Sequence, residues 1–418
     1  MVRATALYLV IIIALVIGLI CSSLVAVAYF YRAEYQRKFR YDQLSHNLSS
    51  GINILLSTPD SAYQKETKFS LFGNGNDSIT LHRKTWGIFD VGIVRAIIQG
   101  DTIYKGFSIA NTVDSAKWAA LYITDDDRPL SLSGKTQIEG NAFLPKAGIQ
   151  TAYVDNKAYD GDKRLVIGKK LTSDKRLPAL DTSRLSLLNR SFSINGNKLK
   201  LGDSLNCSFL KPTQVVDFAD KPYSLNNLSL KGNILLHSDT TLTIDSSVKM
   251  DNVIVFAKAI VVREGFKGTC QLFASDSISV GKNCRFSYPS CLGIIRSKTT
   301  KLSPQAKITI GDSGSVNGTV FTWEKIPAAL KPQIELGKKD TIQGQIYAQD
   351  ALALKDSCVI YGSIFSTRFL YKNSFTLYEN YLINVQLNSN QLSPYYLSSG
   401  LLPVSSKKKK ILQWIEEK

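Results

Sequence analysis

The chain has 418 residues, 51 Lys and Arg against 34 Asp and Glu, and 44 % apolar residues. With 20 % charged residues, this composition excludes disorder as the main state, and the length allows two or three packed domains. One uncharged stretch is long enough to cross a bilayer, which excludes a polytopic membrane protein, and the formal charge of +17 calls for an anionic surface or polymer.

Residues 1–31 read as a membrane anchor. No charge falls in 4–31, and a helix of that length is about 42 Å long against the ~30 Å of a hydrocarbon layer. Leu7, Ile12, Leu15 and Ile20 fill the apolar run, and Tyr29 and Phe30 suit the interface. Ala26-Val27-Ala28 also permits cleavage as a signal. The next segment favours the anchor. Residues 32–58 continue without Pro until Pro59, and Tyr41, Leu44, Leu48, Ile52 and Leu55 recur at three- and four-residue steps. One long helix follows, with an apolar first half and an amphipathic second half whose face is expected to pack on partner helices. Orientation is left open. Arg32, Arg37, Lys38 and Arg40 follow the span and favour a cytoplasmic body, whereas a signal-like N-terminal segment normally exports what comes after it.

Residues 59–123 are expected to form an antiparallel meander, with strands at 78–84, 86–98 and 102–110. Trp86, Phe89 and Trp118 read as core. From there a phrase of apolar, any, Gly, any and two mostly apolar residues recurs, centred on Gly140, Gly232, Gly318, Gly344 and Gly362. Between its copies lie apolar-x-apolar units. Leu242, Ile260 and Ile278 are eighteen residues apart, as are Ile334 and Leu352. Such repetition predicts a β-solenoid, in which each rung covers the apolar face of the next; a two-sheet sandwich is the competing fold. A first solenoid-like segment is assigned to 124–162 and the main solenoid to 230–372, with protruding loops at 297–304 and 327–332. The predicted fold class is therefore mainly β, with one long N-terminal helix, a meander and a β-helix.

Residues 163–229 read as a basic connector. Between 163 and 200 ten basic residues, among them Lys169, Lys170, Lys175, Arg176, Lys198 and Lys200, face two Asp. Residues 373–418 read as an extension that ends in a basic amphipathic tail, Lys407, Lys408, Lys409 and Lys410 followed by an apolar stretch with Trp414. Both basic segments are expected to meet anionic lipid or an envelope polymer. Nucleic acid is not expected, because the basic stretch 163–200 has Phe192 as its one aromatic residue and offers little for base stacking.

Catalytic signals are missing from the reading. His46, His82 and His237 are far apart in sequence, no phosphate-binding or hydrolase motif occurs, and Asp125-Asp126-Asp127 and Asp155, Asp160 and Asp162 read as solvated turns. Acids in the repeats, such as Asp312 and Asp340, are isolated in sequence, so a glycoside-cleaving pair would have to form across rungs. Cys207, Cys270, Cys284, Cys291 and Cys358 read as buried thiols, with a bridge among 270, 284 and 291 as the alternative. No cofactor, metal or catalytic residue is assigned.

Two resemblances follow from these segments. The uncharged span, the amphipathic helix through residue 56 and the meander to about residue 110 resemble bacterial type IV pilins and minor pseudopilins. That resemblance implies an inner-membrane anchor, a periplasmic body and pilin-like or identical subunits as partners. The Gly phrases resemble the polymer-forming β-helices of bactofilins, which implies instead a membrane-tethered cytoplasmic scaffold. A polysaccharide-binding or polysaccharide-active β-helix is the third reading. The first two families are structural, and the chain is expected not to be an enzyme.

Overall fold

The computed structural model describes residues 2–73, 77–193, 204–218, 221–297 and 303–417. It is mainly β with one long helix, α1, Val2–Ser57. The chain divides into two units. The first holds Met1–Arg83, Gly92–Gly106 and Glu417–Lys418; the second holds Lys84–Val91 and Phe107–Glu416.

In the first unit, the amphipathic half of α1 buries Leu44, Leu48, Ile52 and Leu55, and the strands contribute buried Ile79, Leu81, Ile93 and Val94. Contact is close because position 51 lacks a side chain. A Cβ on Gly51 would lie 2.6 Å from Val94 Cγ1 and 3.1 Å from Leu81 Cδ2. The helix stops at Thr58-Pro59, where Arg83, 2 % exposed, supplies donors for the unpaired terminal carbonyls. Its guanidinium donates to the carbonyls of Leu55, Thr58 and Pro59. The short strand Thr67–Phe69 pairs antiparallel with 79–81.

The longer strands of the meander are Asp77–Trp86, Phe89–Ile98 and Asp101–Val113, close to the expected runs. In the second unit, the turn between the first two is held by Gln271. Its Oε1 accepts from Ile88 N at 2.8 Å and its Nε2 donates to Trp86 O at 3.1 Å. Gly87, at φ +62°, leaves room for that amide, since a Cβ there would meet Gln271 Oε1 at 2.0 Å.

Most of the second unit is a stack of parallel strands. Leu242, Ile260 and Ile278 lie in register, as do Ile334 and Leu352, so the eighteen-residue spacing is one turn of chain. Long strands turn corners. Lys249–Val262 pairs with 229–231 before its bend and with 235–244 after it, which wraps the sheet around a core of Ile, Leu and Val. At one corner the chain repeatedly takes a left-handed residue followed by a buried one, as in Asn283-Cys284, Lys339-Asp340 and Ser357-Cys358.

The order of the rungs departs from the expected segments. Strand Leu121–Ile123, assigned to the meander, pairs in parallel with 364–366 and 142–143. The segment 124–162 does not precede the main array in space. Its strand Gln137–Glu139 stacks on 386–388, at the C-terminal end. The expected connector contains strands Ser204–Cys207, Gln214–Asp217 and Tyr223–Leu225, which form the rung at the other end. Between these two ends runs α2, Thr182–Ser191, capped by Asp181 and tied by a buried Arg184–Asp90 pair at 2.7 Å. Periodicity in sequence reports that a segment is a rung but carries no information about its neighbour, since any rung edge offers the same backbone donors and acceptors.

The C-terminal tail also differs. Residues Ser405–Glu417 form a strand that pairs with Asp101–Val113, and Trp414 meets Phe107 edge to face at 5.6 Å. Within this strand Lys407, Lys408 and Lys410 stay exposed, a common way of protecting a sheet edge.

Candidate functional site

The most exposed apolar surface belongs to α1. Leu7, Leu15, Ile20, Tyr29 and Phe30 are all more than half exposed, and Ile12 is 45 % exposed. Ala6–Ser57 contains a window of mean hydropathy 3.0, none of it buried, long and apolar enough to cross a membrane. The expected packing face behaves differently. Leu44, Leu48, Ile52 and Leu55 are covered within their own unit, so they are not open to a partner helix, and Tyr41 is 60 % exposed. Amphipathicity showed that this face needs cover; the strands of the same chain provide it. What remains open to a partner is the face that includes Tyr35 and Phe39, 66 % and 55 % exposed.

Those two residues border a groove of about 710 Å³ in the first unit, together with Arg40, His46, Phe72 and Asp77. Two of its charged side chains, Arg40 and Asp77, are already engaged. Arg40 Nε donates to Asp101 at 2.9 Å, and Asp77 accepts from Asn47 Nδ2 and Ser70 Oγ, each at 2.9 Å.

The phrase glycines occupy one side of the stack. Gly318 pairs with Gly344 and Gly344 with Gly362. Each has φ near +145°, and a Cβ on Gly362 would sit 1.8 Å from Gly344 O. Gly232 lies against Cys207 in the same way, and Gly140 against Ser389. These positions are therefore structural joints between rungs.

Of the basic residues, Lys169, Lys170, Lys175 and Arg176 are exposed on the terminal rung, where Lys170–Thr172 pairs with 142–144. Lys198 and Lys200 lie outside the described residues. Lys84, which drew no attention in the sequence, is half-buried. Its Nζ is 2.8 Å from Asn233 Oδ1 and 5.6 Å from the centre of the Trp86 ring, and burial pulls its pKa down to about 8.

The acids act mainly as turn staples. Asp125 Oδ1 accepts from the backbone amides of Asp127 and Lys146, and Asp155 accepts from Tyr371 OH at 2.8 Å and Asn373 Nδ2 at 2.7 Å. Asp162 is bound by Arg164, which holds its carboxyl down at about 2. Asp340 is fully buried and accepts from Gly314 N and Gly337 N at 2.8 and 2.6 Å; burial pushes its pKa up to about 7. It packs near Asp312, whose Oδ1 takes Lys338 N, but a carboxylate with no exposed surface offers a saccharide nothing to touch. His237 uses both ring nitrogens, at 3.2 Å from Asp217 Oδ1 and 3.0 Å from Phe192 O. All six cysteines are free and five are buried; burial pushes Cys270 and Cys358 up to about 12, far from a reactive thiolate. Among the described residues, no group of three or more His, Cys, Asp or Glu is placed to hold a metal ion.

One further cavity, of about 500 Å³, lies beside the terminal rung and is lined by Trp118, Asn141, Gly168, Ser389, Asn390, Ser393 and Tyr396. Sequence reasoning took Trp118 as core and passed over the Asn and Ser residues, which come together only because 389–396 folds back towards 140–168.

Comparison with known proteins gives little further ground. No family model matches the chain, and no curated protein matches it. Among solved structures the chain is similar to the competence-associated pilin ComZ from Thermus thermophilus, at 9 % identity over 86 % of this chain and 89 % of that one, with a TM-score of 0.23, too low to carry an argument about fold.

Proposed function

We propose that this chain is a membrane-anchored, non-enzymatic structural subunit of a bacterial envelope assembly, of the pilin or minor-pseudopilin kind, with its anchor in the inner membrane and its body in the periplasm. The supporting observation is the division of α1. A fully exposed apolar half has no cover among the described residues and needs lipid or similar helices. Its other half is packed on the strands of the first unit by four buried side chains and the Arg83 cap. A helix built in this way ties the first unit to the membrane, as an assembly subunit requires.

Two measurements test the reading. A reporter fused after Lys418 should be active in the periplasm; activity in the cytoplasm alone would remove the pilin-like reading and favour the tethered scaffold. In a Cys21→Ser background, Phe39→Cys should give an oxidative cross-link to another helix in membranes. A monomer under all oxidising conditions would count against assembly through this face.

A further inference from the structure

We propose that the cleft beside the terminal rung binds an acidic saccharide, read by Trp118, Asn141, Asn390 and Ser393 and held electrostatically by Lys169 and Lys170. This inference is independent of the structural role argued above, since it concerns only the second unit.

The first ground is the lining. A half-buried indole at the wall of a cavity of about 500 Å³ offers an apolar plate for a sugar ring. Around it stand amides and hydroxyls, which pair with sugar hydroxyls as both donors and acceptors. Among the described residues the exposed Asn390 side chain has no hydrogen-bond partner, and Asn141 uses Oδ1 on Lys169 N at 3.3 Å, leaving its amide nitrogen for a ligand. None of the lining residues is Asp or Glu. The cleft therefore lacks the carboxylate pair that glycoside cleavage needs, and its chemistry is that of binding.

The second ground is charge. Gly168 lines the cleft, and the next residues along the chain are Lys169 and Lys170, both exposed and without a carboxylate partner among the described residues. Residues 161–176 carry six basic side chains against two acidic ones, whereas 204–225, at the other end of the stack, carries two of each. If the lysines served only to protect an open strand edge, both ends would need them. The excess is found only where the cleft is. Exposed lysines one and two residues along the chain from a lining glycine favour a uronate or a sulfate on the ring.

The experiment uses the full chain in detergent with three probes: a tetragalacturonide, a heparin-derived tetrasaccharide and neutral maltotetraose. At least one acidic probe should bind more tightly than maltotetraose, with an affinity that falls as salt rises. Trp118→Ala should weaken binding about tenfold and Asn390→Ala about threefold, as expected for a stacking residue and a single surface hydrogen bond. Lys169→Gln with Lys170→Gln should flatten the salt dependence while leaving the maltotetraose affinity unchanged. Asn390 is exposed, so its variant stays informative if Trp118→Ala perturbs folding. Failure of both acidic probes to bind, or binding indifferent to Trp118 and Asn390, overturns the proposal. So does tighter capture of anionic vesicles or of a thymidine 20-mer than of either acidic saccharide.

Discussion

Residues 7–30 and 44–55 belong to the same helix and are both rich in apolar side chains, yet the large residues of the first stretch are 45 % exposed or more while Leu44, Leu48, Ile52 and Leu55 are at most 8 % exposed. The difference lies in what the chain offers each half. Strands of the same unit present Ile79, Leu81 and Val94 to the second half, and none of the described residues covers the apolar window of the first. The solenoid is a third case. Each rung leaves its apolar edge for the next one, so the stack supplies its own cover. Apolarity thus states how much cover a segment needs, and only topology states where the cover comes from.

Substitutions can break each kind of cover separately. The largest effect is expected in the solenoid, where Gly344→Ala would put a Cβ 2.0 Å from Gly318 O in a left-handed backbone conformation. A loss of about 5 kcal/mol, enough to prevent recovery of folded full-length protein in detergent, is expected from combined clash and strain. Gly18→Ala, on the bare helix with nothing within 4 Å, is the control and should leave both expression and melting unchanged. Next comes Leu48→Asp, which buries a charge in the first unit and should cost about 4 kcal/mol. The protein should still sediment with membranes, because the exposed half of α1 is untouched. Release into the soluble fraction would show that the two halves do not act independently.

Smaller effects test the joints. Arg83→Met removes the donors on the Leu55, Thr58 and Pro59 carbonyls and should cost about 2 kcal/mol, read as faster amide exchange at the end of α1. The last effect is graded with pH, a slope from Asp340. Its folded pKa, about 7, lies above the ordinary carboxylate value, so the unfolded chain loses this proton first as pH rises. Its contribution to stability is greatest below pH ~4, declines by at most about 1.4 kcal/mol per unit through the interval up to ~7, and is then constant. Urea midpoints should follow that slope in the native chain. They should lose it in Asp340→Cys, which copies the thiol that Cys358 places at the same corner of the next rung.

Much of this architecture is legible in the residues. The uncharged span, the i, i+3, i+4 face of α1 and the Gly phrases each state a local requirement, and local requirements are met within one turn of helix or one rung. Failures arise wherever the answer depends on distant chain. The face of Leu44 and Leu48 looked ready for a partner because nothing in a periodic pattern says which surface will fill it. Lys407–Lys410 looked like a lipid-binding tail because a run of lysines followed by an apolar stretch has the composition of a basic amphipathic tail, and composition does not say which strand it will pair with. Trp118 was assigned to the core by type alone, and only the return of 389–396 makes it one wall of a cleft.

The sequence by itself determined that there is one helix fit for a membrane, that a β body follows it, and that the body contains repeating rungs with glycine joints, since charge, period and the need for a left-handed residue are properties of short segments. The tertiary structure decided the rest. It placed 121–151 at the C-terminal end of the stack and 204–225 at the other. It gave half of α1 a cover and left the other half bare. Backbone pairing is chemically the same at every rung edge, so the choice among edges is made by how well distant side chains fill the shared core, and that is settled only when the whole chain has folded.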